Sequence, residues 1–182
     1  MIQIKNVSKI YVSKNKEVKA LDNVSLHIKK GEIYGVIGYS GAGKSTLIRC
    51  VNLLERPTEG EIIVNGIDLT KLSKAELNEQ RKRIGMIFQG FNLLKTATVY
   101  ENIALPLKLT GVPKNEIDKR VRKYLNVVGL EHRADAYPAQ LSGVQKQRVA
   151  IARALSHEPY VLLSDEARSA LDSETTEAIL DL

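Results

Sequence analysis

An α/β fold with a mainly parallel core is predicted by three features of the sequence. An apolar run at 33–37 stops abruptly at a glycine-rich loop, 38–43, and a helical pattern follows from Lys44. A second apolar run, 160–164, ends in Asp165 and Glu166. Between the two, the hydrophobic period is mostly helical. Short, continuously apolar runs suit strands buried on both faces, as parallel sheets require, and helices between them suit the crossovers.

The elements follow in order. Ile2, Ile4 and Val7 predict a short strand, and 18–21 and 24–28 predict further strands with turns between them, closing at a turn over Lys29, Lys30 and Gly31. The helix after the glycine-rich loop should run from 44 to 54 and break at Pro57. Residues 61–64 read as a strand, and Asn65-Gly66 as a tight turn. Ser73 with Glu76 forms a capping box, which should open a helix to about Arg83. Residues 84–88 form another short apolar strand. From 90 to 140 the pattern is helical, with Ile117, Val121, Tyr124, Leu125 and Val128 on one face and Gly129 just past the end. Ser142 with Gln145 is a second capping box, opening a helix to about Leu155. Residues 173–182 begin like a capped helix and stop without a closing glycine or proline, so the chain reads as a fragment, incomplete at its C-terminus.

Composition narrows the class. At 182 residues, 43% hydrophobic and 26% charged, the chain is a globular domain with a substantial core rather than a disordered one. The single cysteine, Cys50, excludes an intrachain disulfide framework and fits a reducing compartment. No apolar stretch approaches the ~18 residues of a bilayer span, and the first fifteen residues do not read as a secretory signal. The expected location is the cytoplasm or the cytoplasmic face of the membrane. The net charge of +6 allows an anionic partner, yet basic residues at 14–30, 71–83 and 114–123 are interleaved with acids and read mainly as solvated faces.

The chemistry centres on the loop. Gly38, Tyr39, Ser40, Gly41, Ala42, Gly43, Lys44 and Ser45 place two glycines five apart, then a lysine and a hydroxyl residue. Successive backbone N–H groups can turn inward around a triphosphate there, glycine permits the dihedrals, and the following helix aims its N-terminus at the same anion. Lys44 supplies a point charge to the β- and γ-phosphates and Ser45 a ligand to Mg2+. Asp165, at the end of a core strand, is positioned to hold the magnesium through its water shell, and Glu166 to orient the attacking water. A plain strand end followed by a helix start is the alternative for that pair.

By these residues the chain resembles the ATP-binding subunit of ATP-binding cassette (ABC) transporters over essentially its full length. Residues 141–155, beginning Leu141-Ser142-Gly143, look like the family's signature segment and its helix. The resemblance implies a P-loop NTPase with a RecA-like parallel core, an N-terminal antiparallel β lobe and a helical insertion lobe. It organises one domain, 1–182, into a β lobe (1–30 and 60–70), a nucleotide-binding core (31–59, 80–89 and 158–182) and a helical lobe (90–157). It also implies ATP and Mg2+ as ligands, Tyr11 stacked on adenine, and Thr46 continuing the phosphate contacts of the loop. Gln89 would sense magnesium and water beside Glu166, and Ser142, Gly143 and Gln145 would face the γ-phosphate held by an opposing subunit. Residues 169–172 resemble the loop that crosses between subunits. Stretches 33–38, 40–60, 85–89 with 91–94, and 104–107 look most like the methionine-importer subgroup, with 49–60 the most specific. The implied partners are a second ATPase subunit in a homodimer, transmembrane permease subunits and, indirectly, an extracytoplasmic binding protein; no nucleic acid is expected.

The chain departs from the family pattern at Val144, where the signature has a glycine, and at Arg168, where a small residue is usual. Val144 should crowd the anion and disfavour the backbone needed there. Gly90 replaces a bulkier residue and should loosen the loop after Gln89, while Tyr39 falls at a variable position. No histidine follows His157, so the family's switch histidine is absent from the sequence. Three readings follow: a magnesium-dependent transport ATPase, a nucleotide-binding module that does not hydrolyse, and a relative acting on DNA or ribosomes. Only the net charge supports the last.

Overall fold

The computed structural model describes residues 1–13 and 16–165. The chain divides into two compact units, Met1–Glu79 and Gln80–Leu182, the second described as far as Asp165. The expected helix over 173–182 lies outside the described residues.

The first unit is built on an antiparallel sheet of four strands, β1 (Ile2–Ser13), β2 (Lys16–Ile28), β3 (Glu59–Val64) and β4 (Ile67–Asp68), in the order β2-β1-β3-β4. The two short strands expected over 18–28 are one continuous strand. What reads as a turn at Asn23 is a bulge: Asn23 and Asn6 both take left-handed φ, near 48° and 50°. Asn6 Nδ2 donates to Asn23 Oδ1 at 2.9 Å, and the Asn6 N–H donates to Ser25 Oγ at 2.9 Å. Asparagine tolerates this backbone, so the signal that elsewhere reverses a chain here only shifts the register. Asn65 and Gly66 do turn the chain, with φ of 50° and 81°, and bring Ile67 opposite Val64. Helix α1 (Lys44–Val51) is shorter than expected, ending where Leu53 takes a φ of 52°. Helix α2 (Lys74–Arg81) opens at the Ser73 cap as the sequence predicts, the Ser73 N–H donating to Glu76 Oε2 at 2.8 Å.

The second unit pairs β5 (Ile84–Ile87) with β6 (Val161–Ser164) in parallel, Ile84 opposite Val161 and Ile87 opposite Ser164. Helices α3 (Val99–Leu109), α4 (Lys114–Val127) and α5 (Gly143–Leu155) bury a shared cluster that includes Val99, Ile103, Leu107, Val121, Leu125 and Val149. Each such fully buried aliphatic side chain contributes roughly 1.5–3 kcal/mol. Gly85 lets α5 approach the sheet, since a Cβ there would stand 2.6 Å from the Ala154 carbonyl oxygen. Gly129, with a φ of 65°, ends α4 as expected.

Two expectations about strands are corrected. Residues 33–37 form no strand; Ile33 and Ile37 are 91% and 96% exposed. A parallel strand needs neighbours to satisfy its N–H and C=O groups, and no described strand pairs with this segment. Strand β6 is buried on one face only, with Leu162 open to solvent on the other. Among the described residues no helix is long and apolar enough to cross a membrane.

Candidate functional site

In the first unit the glycine-rich loop has the backbone that anion binding requires. Gly41 and Gly43 take φ of 81° and 87°, and the Ala42 N–H closes a turn onto the Tyr39 carbonyl at 3.2 Å. Gly43 is the N-cap of α1, and no side chain caps that helix. The N–H groups of the first turn, with the positive end of the helix dipole, are therefore presented toward the loop. A Cβ at Gly43 would collide with the carbonyl oxygen of Ala20 on β2, so the residue is fixed by close approach as well as by φ. Lys44 Nζ donates to the carbonyl oxygens of Gly38 and Tyr39, both at 2.8 Å, holding its charge inside the curl of the loop. Ser40, Gly41 and Ala42 are exposed, while Ser45 and Thr46 are half-buried in the first turn of α1. These features fit a polyphosphate.

The same strand that braces Gly43 brings Tyr11 near. Tyr11 lies opposite Val18 on β2, two residues from Ala20, or about 7 Å along the strand. Its ring is 39% exposed, and Lys9 Nζ sits 4.9 Å from the ring centroid. Lys9 is itself held by the Arg56 carbonyl at 2.8 Å and by Glu55 at 3.4 Å. One face of Tyr11 thus carries a fixed cation. Lys9 escaped the sequence reading, although its spacing of two from Tyr11 puts both on one face of a strand.

In the second unit, Gln89 and Asp165 both lie just beyond the carboxyl ends of the parallel pair. The Asp165 N–H donates to the Ile87 carbonyl at 2.9 Å, extending the ladder one residue beyond β6. Gln89 follows two residues after β5 and is exposed, whereas Asp165 is 1% exposed. Both offer the oxygen donors that a hard cation such as Mg2+ takes. No group of three or more His, Cys, Asp or Glu side chains suited to a metal occurs among the described residues. Glu166, Arg168 and the 169–172 loop lie outside the described residues.

Helix α5 begins at a reciprocal capping box. The Ser142 N–H donates to Gln145 Oε1 at 2.9 Å, and the Gln145 N–H donates to Ser142 Oγ at 3.2 Å. Gly143 has nothing within 4 Å of where a Cβ would stand. Val144 lies within α5 on ordinary helical backbone, so the expected backbone penalty does not arise. Its side chain is nevertheless 45% exposed on the first turn, where an incoming anion would approach. Gly90 leaves room for a side chain, the nearest atom being Asn92 Oδ1 at 3.6 Å from a built Cβ.

The ABC transporter family model matches residues 21–169. Over all 182 residues the chain is 71% identical to methionine import ATP-binding protein MetN 1 of Bacillus cereus and 72% identical to the protein of that name from Bacillus anthracis. It is 67% identical to methionine import ATP-binding protein MetN 4 of Oceanobacillus iheyensis. In each case the match takes in 100% of this chain and 53% of the relative, so the chain spans about half the length of the curated relatives it matches. Among solved structures, the dimeric post-hydrolysis state of the ATP-binding cassette MJ0796 bound to ADP and Pi superimposes with a TM-score of 0.92 at 42% identity, covering 100% of this chain and 80% of that one. With the family model spanning residues 21–169 and relatives of this identity along its whole length, the chain belongs to the ABC transporter family.

Proposed function

We propose that the chain is the ATP-binding and hydrolysing part of an ABC importer whose cargo is methionine, the substrate in the relatives' names, or a similar amino acid. The observation that carries the reading is the Lys44 ammonium seated on the Gly38 and Tyr39 carbonyls beneath an uncapped helix N-terminus. When a phosphate enters, the Lys44 ammonium exchanges neutral acceptors for anionic ones, and the phosphate gains the helix dipole. Tyr11 stacks on the base, Ser45, Asp165 and Gln89 would hold Mg2+, and Glu166 takes the proton of the attacking water. When bound, magnesium would supply positive charge against the phosphate oxygens. Catalysis is positioning and electrostatics rather than covalent chemistry.

Two copies face each other with each phosphate loop against the other's Ser142, Gly143 and Gln145. The assembly works at the cytoplasmic face of the membrane, peripheral to permease subunits that an extracytoplasmic binding protein supplies. The dimeric state of the similar cassette supports this arrangement. A second reading, nucleotide binding without turnover, is favoured by the exposed Val144 on the first turn of α5. It expects turnover only after Val144→Gly.

Thermal unfolding with and without magnesium-ATP tests the site. At about 100 times the dissociation constant, ATP stabilises the native state by ~2.7 kcal/mol, which raises the midpoint by roughly 5–10 °C. Lys44→Ala removes that rise. Equal rises in the parent and in Lys44→Ala, or none in the parent, overturn the assignment of the loop.

A further inference from the structure

The loop after β5 is shaped by groups outside it. Phe91 and Asn92 take left-handed φ of 62° and 49°, a conformation that costs a bulky residue energy and persists only when its surroundings impose it. The Phe91 N–H donates to the Phe88 carbonyl at 3.1 Å and the Asn92 N–H to the Gly90 carbonyl at 2.7 Å. The carbonyls of Phe91 and Asn92 then converge on one guanidinium: Arg153 Nη2 donates to Phe91 O at 2.8 Å, and Nη1 to Asn92 O at 2.7 Å. Arg153 stands in the last turn of α5. It reaches the two carbonyls with two separate nitrogens held in one rigid plane, so it fixes their relative orientation, whereas a lysine at this position would bring a single nitrogen on a flexible stem.

The far end of the same loop is fastened separately. Asn102 of α3 is fully buried; its Oδ1 accepts from the Leu94 N–H at 2.8 Å, and its Nδ2 donates to the carbonyls of Leu94, Ala97 and Thr98 at 3.1, 3.1 and 2.9 Å. The loop therefore has little freedom of its own, and the looseness expected from Gly90 is offset. Arg153 lies eleven residues, about 16 Å, along α5 from the cap at Ser142, and Val149, Ala150, Ile151 and Ala152 between them are buried.

We infer that Arg153 is a positioning residue that ties the loop after Gln89 to α5, so that Gln89 and the capped turn at Ser142 shift as one body. The inference rests on the roles proposed above for Gln89 and Ser142. It makes the residue that reads the magnesium of one nucleotide and the turn that reads the phosphate of the other respond together.

Two measurements on the protein at its natural length test it. Native-state hydrogen exchange on the unmodified protein, at several denaturant concentrations, follows the amides of Asn92 and Gln145. A clamp makes both open in one step, with the same free energy and the same denaturant dependence; a loop that opens while the Ser142 turn stays closed overturns it. In the second, Arg153→Lys lowers kcat about 10-fold and leaves KM for ATP within about 2-fold. In a Gln89→Ala background the same change costs less than about 2-fold, because the loss has already been incurred. Parental kcat in Arg153→Lys, or fully additive losses, overturn the inference. Absence of turnover in the unmodified protein refutes the ATPase reading instead, and the exchange experiment, which needs neither nucleotide nor variant, still decides the clamp.

Discussion

At the residue scale, the informative groups are those whose charge is held by something fixed. Lys44 rests on two carbonyls, Lys9 on the Arg56 carbonyl below Tyr11, and Arg153 on the Phe91 and Asn92 carbonyls. Lys44 was legible in the sequence because a phosphate loop is a contiguous motif. Arg153 was not, because its partners are more than sixty positions away and nothing local marks it. His157, just beyond α5, belongs to the same scale. Burial lowers its pKa below the ordinary 6.5, with the Arg153 backbone opposing. The unfolded chain then binds a proton that the folded chain refuses, so stability is full above about pH 6.5 and is lost as pH falls toward the lower folded value. The slope is at most about 1.4 kcal/mol per pH unit. His157→Gln should flatten the rise of the unfolding midpoint between about pH 5 and 7; an unchanged slope would show that another group titrates there.

At the element scale, local chemistry set the helix starts. The capping boxes at Ser73 and Ser142 were readable because both halves of each lie within four residues, and both form as the sequence predicts. The box at Thr98, which opens α3, follows the same rule and was missed inside a broadly helical stretch. Strands behaved differently. Residues 84–87 are a strand because 161–164 lie beside them, while the equally apolar 33–37 has no described partner and stays exposed. The amides of 33–37 should exchange with solvent at nearly unprotected rates in this chain, whereas those of Ile87 and Asp165 are slowed. Strong protection at 33–37, measured residue by residue, would mean that the segment has found a ladder.

At the scale of the whole molecule, the capped start of α5 and the glycine-rich loop are both exposed, which leaves each accessible to a second copy in the dimer proposed above. Glu166→Gln, which removes the proposed base without removing charge-neutral hydrogen bonding, should let magnesium-ATP accumulate a closed dimer of twice the mass in size-exclusion chromatography. Adding Val144→Gly should lower the ATP concentration needed, because it clears the first turn of α5 for the partner's phosphate. Monomer at saturating ATP together with parental turnover would remove both the dimer and the role of Glu166.

Read from residues alone, the sequence determined the glycine-rich loop with its lysine, the caps at Ser73 and Ser142, the helical stretch and the family, since each is written in neighbouring positions and governed by short-range hydrogen bonding. Tertiary structure alone decided that β2 runs unbroken through Asn23, that 33–37 stands outside the sheet, that Gln89 and Asp165 end adjacent strands, and that Arg153 reaches the loop beyond Gln89. The physical reason is common to all four. Strand pairing and buried side-chain hydrogen bonds are contacts between distant positions, and their energy depends on what the rest of the chain brings alongside.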